Sequence, residues 1–280
     1  MNNLDEIKRI DKESFFNYMK KTFFKFKELM NVEELYYYTD TSALINGILR
    51  PNEVCLWASR WSYLNDTKEI LNGIEEIKNW GAPDYLIDGL SKMNEPSHII
   101  SFSLAKDSLP MWSMYGDGGT GVMIIFDTKE LLKHYGGLIQ PCLYSNSEYE
   151  IAVKEQLLNP SPIDSFWSSL SYSQQIYVLF IQSLYYVALR KDYHYDYEKE
   201  IRVLGIGNPF LDSKKENKYR FRKNKIVPYI EELIPKTALK GVCFGPLAEY
   251  ELSKKALIEF FEKYNYYNVT ITKSEIPYRG

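Results

Sequence analysis

Short strand-like runs set the terms on which this chain can fold. They lie at 35–39, 54–59, 98–103, 121–126, 140–144, 200–206, 219–222, 239–244 and 268–273. Between some of them stand segments with helical periodicity, at 41–49, 65–79, 84–93, 108–115, 128–134, 148–157, 165–190 and 248–263. A doubly wound parallel sheet needs a helix after nearly every strand, because each parallel crossover lays a helix on one face. That alternation is not kept here, so the pattern predicts a mixed α+β domain.

Residues 11–30 carry Phe15, Tyr18, Met19, Phe23, Phe26 and Met30 at steps of three and four, the period of one helical face. Lys12, Lys20, Lys21, Lys25 and Lys27 occupy the other face. Such a helix docks on its own domain, or binds a membrane or a partner. No repeat, low-complexity tract or Pro/Gly linker divides the remainder. The expected organisation is a helical extension over 1–34 and a single α+β domain over 35–280.

Composition narrows the class further. With 45% hydrophobic and 25% charged residues in 280, the chain can bury a substantial core, which excludes disorder, collagen and coiled coil as overall descriptions. The net charge of 34 − 37 = −3 gives no global attraction to nucleic acid or anionic membrane, so such a partner must be met by a local patch. Cys55, Cys142 and Cys243 are odd in number and lack CxxC spacing, which fits buried thiols in a reducing cytoplasm rather than disulfides or a zinc ribbon. The start at Met1-Asn2-Asn3-Leu4-Asp5-Glu6 has no signal-peptide pattern, and the apolar stretch Ile176 to Leu189 is too short for a membrane span. A soluble cytoplasmic protein is expected.

The segment Gly116-Asp117-Gly118-Gly119-Thr120-Gly121 is glycine-rich, yet it precedes a strand, whereas phosphate cradles open a helix. It reads as a turn. His98, His134 and His194 show no metal-ligand spacing, so no metal site is expected from them.

The acidic residues say more. Strand periodicity over 197–204 puts Glu198, Glu200 and Arg202 on one face and Ile201 and Val203 on the other. This is either a rigid platform that projects a carboxylate into a cleft or a solvated edge strand. Asn65 or Asp66 caps a helix with Glu69 completing a capping box, or Asp66 and Glu69 with Glu198 and Glu200 supply carboxylates for Mg²⁺ in a nuclease. In the basic run 214–225, alternation turns Arg220 and Arg222 outward together, with Lys223 beside them. That is a solvated hairpin or a nucleic-acid patch.

Together these segments resemble a bacterial family, domain of unknown function 2971. Its motifs stand here as Tyr36-Tyr37-Tyr38-Thr39, Asn65-Asp66-Thr67-Lys68-Glu69, Ser101-Phe102-Ser103, Met111-Trp112-Ser113-Met114-Tyr115, Gly121 to Asp127, Glu198-Lys199-Glu200-Ile201-Arg202 and Gly245-Pro246. The chain is identified as a member on this ordered set. It departs from the pattern at Tyr37 and Met114, where relatives carry histidine, and at Thr67, where they carry proline. A weaker resemblance is to the ADP-ribosyltransferase fold, through Tyr37-Tyr38-Thr39, Leu56-Trp57-Ala58-Ser59 and Glu198-x-Glu200. That second resemblance implies a mainly antiparallel sheet core with helical insertions, and NAD as substrate with no metal. It implies an ADP-ribosyltransferase or NAD glycohydrolase, serving as a toxin or phage-defence effector, with a nucleic-acid or protein acceptor and an antitoxin or regulatory partner. Glu200 would be catalytic with Glu198 beside it, and Tyr37, Thr39, Ser101, Ser103 and Trp112 would line the NAD pocket. The competing expectations are the Mg²⁺-dependent nuclease and a non-enzymatic nucleotide- or partner-binding module.

Overall fold

A computed structural model describes residues 9–22, 26–63, 68–91, 98–144, 146–155, 165–206, 215–222 and 225–278. Its strands are β1 (Glu34–Thr39), β2 (Val54–Arg60), β3 (His98–Ser103), β4 (Val122–Asp127), β5 (Ile139–Pro141), β6 (Glu200–Ile206), β7 (Lys218–Arg222), β8 (Lys225–Ile234), β9 (Leu239–Phe244) and β10 (Thr270–Lys273). The longer helices are α1 (Lys12–Thr22), α2 (Lys68–Asn79), α3 (Asp84–Ser91), α4 (Leu109–Tyr115), α5 (Thr128–Tyr135), α6 (Asn146–Val153), α7 (Tyr172–Leu189) and α8 (Tyr250–Lys263). All strands join one sheet, and every strand pairing among the described residues except β9 with β10 is antiparallel. The fold is mixed α+β with a mainly antiparallel sheet.

Strand β8 escapes the periodicity reading, which leaves 225–234 unassigned. Pro228 is the reason, since proline cannot donate to a ladder and argues against a central strand. The structure admits it because the pairs between β8 and β2 stop at Tyr229, leaving Pro228 with β7 alone. The helix expected over 165–190 is two, broken at Leu170 and Ser171. Ser171 caps α7 by accepting from the Gln174 backbone N–H, while its own N–H donates to Gln174 Oε1 at 3.0 Å.

Helix α7 is buried along most of its C-terminal half, which explains its continuous apolar run: an element surrounded by core has no polar face to show. Among the described residues no helix is long and apolar enough to cross a membrane. Helix α1 docks on the main core through Phe15, Tyr18 and Met19, with the Tyr18 ring 5.1 Å from that of Phe166. Met30 does not join this face. It is exposed. Phe23 and Lys25 lie outside the described residues, as do the side chains of Lys12, Lys20, Lys21 and Lys27.

A second, smaller core lies under α4, made by Tyr36, Tyr38, Met111, Trp112, Met123, Ile125 and Cys243. Trp112 is fully buried, edge-on to Tyr38 at 5.0 Å, and its indole N–H donates to Asp107 Oδ1 at 2.7 Å. The glycine-rich segment is a turn into β4, as expected. A Cβ on Gly121 would fall 2.3 Å from the Thr39 carbonyl oxygen, so this glycine serves backbone packing and not a ligand. All three cysteines are buried and unbridged.

Candidate functional site

The site follows from how strands share β3. Strand β6 pairs along one edge of β3, from Ser103 opposite Glu200 to His98 opposite Ile206. On the other edge β1 meets β3 at Ser103 and β2 meets it at Ile99 and His98. The two strands therefore part along that edge, and the middle of β3, around Ser101, pairs with neither. A cleft of about 130 Å³ opens there, roughly ten times the space a single water needs.

Cross-strand register loads one face of this cleft with polar groups. Ser103 lies opposite Glu200 and Ser101 opposite Arg202, while Phe102 and Ile100 face Ile201 and Val203 in the main core. The strand reading thus holds for Glu200 and Arg202. Glu198 arrives differently: it ends the 3₁₀ turn Tyr193–Glu198, and Lys199 follows in the left-handed region at φ 42°. This reversal brings both carboxylates onto one lysine.

That lysine is Lys191. Its Nζ donates to Glu198 Oε2 and to Glu200 Oε2. Arg202 grips Glu200 in a fork, Nε to Oε1 at 2.9 Å and Nη2 to Oε2 at 3.0 Å, and Nη1 donates to the Ala188 carbonyl at 2.5 Å. Tyr115 donates its hydroxyl to Glu198 Oε1 at 2.7 Å, and Tyr144 Oη accepts from the Glu200 backbone N–H at 2.7 Å. The four charged side chains are each less than a tenth exposed. Two cations and two anions sum to zero, which is how this much charge can be kept out of water.

Burial pushes the Glu200 carboxyl up, but the Arg202 and Lys191 cations outweigh it and hold the group well below the usual carboxylate range. Burial likewise pulls the Lys191 ammonium down, and the Glu200 charge more than restores it, so Lys191 titrates above an ordinary lysine. Tyr38 and Tyr36 are raised by burial, and both stay neutral at physiological pH. Lys191 is therefore a cation and not a nucleophilic amine.

The acceptor capacity of the two carboxylates differs. An ionised carboxylate offers about four lone-pair sites. Arg202 and Lys191 take three on Glu200, whereas Tyr115 and Lys191 take two on Glu198. Glu198 is the better placed of the two to accept from a ligand's hydroxyls.

Of the residues expected at a site, Tyr37, Ser101, Ser103, Glu198, Glu200 and Arg220 line this one cleft. Thr39 and Trp112 do not line it. Trp112 lies beneath Tyr38 in the smaller core, and Ser103 has a structural task, donating to the Glu198 carbonyl at 2.5 Å and accepting from the Ala105 N–H at 2.9 Å. Tyr37 packs edge-on to Phe102 of the main core at 6.0 Å; its neighbours Tyr36 and Tyr38 project to the other face of β1, into the smaller core. The outward basic face expected of β7 is reversed at Arg220, which turns into the cleft while Tyr219 and Phe221 are exposed. The Arg222 side chain and Lys223 lie outside the described residues, as do Asp66 and the side chain of Glu69. Met114 is exposed and meets the Tyr197 hydroxyl at 2.8 Å.

Sequence reasoning missed Lys191, Tyr115, Trp57 and the cleft role of Arg202. Lys191 had no periodic signal, because it follows α7 in a short extended stretch whose backbone N–H donates to the Leu143 carbonyl at 3.1 Å. Among the described residues no group of three or more His, Cys, Asp or Glu gathers as a metal site. Between Glu198 and Glu200, where a bridging cation would sit, stands the Lys191 ammonium.

Neither a curated protein nor a solved structure matches the chain. Residues 111–203, which carry most of α4, β4, β5 and all four members of the buried quartet, match the model of the family described as protein of unknown function (DUF2971), the family its motifs resemble.

Proposed function

We propose that the cleft binds NAD and breaks its nicotinamide–ribose bond, passing ADP-ribose to water or to a nucleophile on a nucleic acid or protein. The observation that carries this reading is Glu198, a buried carboxylate with acceptor sites to spare, at the floor of a cleft lined by Tyr36, Tyr37, Tyr115, Tyr195 and Trp57. Nicotinamide leaves with the bonding electron pair as a neutral molecule, so no general acid is needed for departure. What must be stabilised is the oxocarbenium character at the ribose, and a fixed negative charge beside the sugar does so. The attacking oxygen then forms the bond to the ribose and loses its proton to solvent. Glu198 would take the ribose hydroxyls; Glu200, gripped by Arg202, would act as a positioning residue that holds Lys191 and so Glu198. Such an activity would suit a cytoplasmic toxin or phage-defence effector under the restraint of a partner.

The test is nicotinamide release from NAD by the wild-type protein and by Glu198→Gln, with and without EDTA. Glu198→Gln keeps the shape and removes the charge, and turnover should fall about 10²–10³-fold, with a thermal melt showing the variant folded at the assay temperature. Release that EDTA abolishes, or that survives in Glu198→Gln, would sink the reading. Strand cleavage dependent on Mg²⁺ in place of nicotinamide release would favour the nuclease.

A further inference from the structure

We infer that Arg220 is the phosphate-binding group of this cleft, and that the ligand is a nucleotide held by a phosphoryl group at Arg220 and by its sugar at Glu198. The inference rests on the nucleotide reading above and adds the anchor that reading lacks. Strand β7 pairs with β8 so that Arg220 lies opposite Val227 and Phe221 opposite Ile226. Phe221, Tyr219 and Ile226 are more than two-thirds exposed, so alternation delivers Arg220 to the inner face.

There its guanidinium lies 5.0 Å from the centre of the Trp57 ring and 5.6 Å from that of Tyr229, and Nη2 donates to Ser59 Oγ at 2.8 Å. Two aromatic faces and one hydroxyl fix a side chain that otherwise loses much rotamer freedom on binding. A guanidinium presents five donors in a planar fork that matches phosphate, and an immobilised fork loses less entropy for each bond it forms.

Charge agrees with this placement. The charged residues that line the cleft are Lys191, Arg202 and Arg220 with Glu198 and Glu200, 3 − 2 = +1, in a protein of net charge −3. A concave, low-dielectric site of this sign concentrates anions against the average field of the molecule.

Calorimetric titration with ADP-ribose, inorganic pyrophosphate and adenosine, on wild type, Arg220→Gln and Arg220→Lys, tests it. Expected is a ten- to hundredfold weaker affinity for ADP-ribose in Arg220→Gln, the range for a hydrogen bond to a charged group. Adenosine should change by less than about threefold. Arg220→Lys, which keeps charge but not the fork, should fall between, and thermal melts show that both variants are folded. Equal weakening of ADP-ribose and adenosine would reduce Arg220 to a wall of the cleft and overturn the inference. So would wild-type affinity in Arg220→Gln, or no binding of either phosphate ligand by wild type. Arg220-dependent binding of ADP-ribose without nicotinamide release from NAD would uphold the phosphate site and defeat the proposed reaction instead.

Discussion

Replacing Lys191 by methionine tests the quartet most directly, because methionine keeps the length and removes only the charge. In the native protein the ammonium contacts Glu198 and Glu200, and all three are nearly out of solvent. Glu200 keeps its Arg202 fork after the substitution, while Glu198 keeps only the Tyr115 hydroxyl. The charge sum goes from 2 − 2 = 0 to 1 − 2 = −1, one uncompensated buried carboxylate. Breaking a buried pair in this way costs about 3–5 kcal/mol. The pH dependence separates this from a packing defect. In wild type the Glu200 contribution is present above its unfolded pKa and is lost as pH falls through its lower folded value; that of Lys191 is present below its unfolded pKa and is lost as pH rises through its higher folded value. Neither edge lies between about pH 5 and 9. In Lys191→Met the carboxylate pair gains by taking up one proton, so the folded state binds more protons than the unfolded one and stability rises as pH falls from 8 to 5. Urea denaturation across that range reads both effects, and the double variant Lys191→Met/Glu198→Gln should regain most of the loss. A cost below about 1 kcal/mol with no new pH slope would mean that the quartet is solvated, and the electrostatic argument would fail.

Glu200→Gln strands Arg202 and Lys191 with one carboxylate fewer, so it should cost about 3–5 kcal/mol in a denaturant titration; an unchanged midpoint would show that Glu200 is not the anchor of the cluster. Trp112→Ala removes a fully buried indole and its bond to Asp107, and about 3–5 kcal/mol should be lost by the same measurement. A loss under about 1 kcal/mol would contradict its place in the smaller core.

Much of the sheet was legible because its strands carry their own signal. Runs such as Val122–Asp127 and Leu239–Phe244 are short, almost continuously apolar and bounded by turns, so burial and pattern agree. Lys225–Ile234 was not legible, since Pro228 and the Glu231-Glu232 pair oppose the strand pattern locally and only the neighbours β2 and β7 supply the ladder. The same division holds at Arg220. Alternation predicts that Arg220 is turned opposite to Tyr219 and Phe221, but not which face meets the cleft; that is decided by β2, which places Ser59 and Trp57 within reach from far away in the chain.

The site shows what a sequence conceals for a physical reason. Glu198-x-Glu200-x-Arg202 is visible as a motif, and periodicity assigns all three to one strand face. The structure reaches the same juxtaposition by a different route, in which Lys199 takes the left-handed conformation and Glu198 belongs to the preceding turn. A regular strand would have left the carboxylates side by side and repelling. The turn instead lets them converge on Lys191, which no local pattern marks, because its position is set by the end of α7 and by the hydrogen bond to Leu143. Two like charges in a buried cleft require a cation between them. A buried Glu-x-Glu is in that sense itself a signal: it predicts a lysine or arginine from elsewhere in the chain, and in this protein Lys191 and Arg202 answer it together.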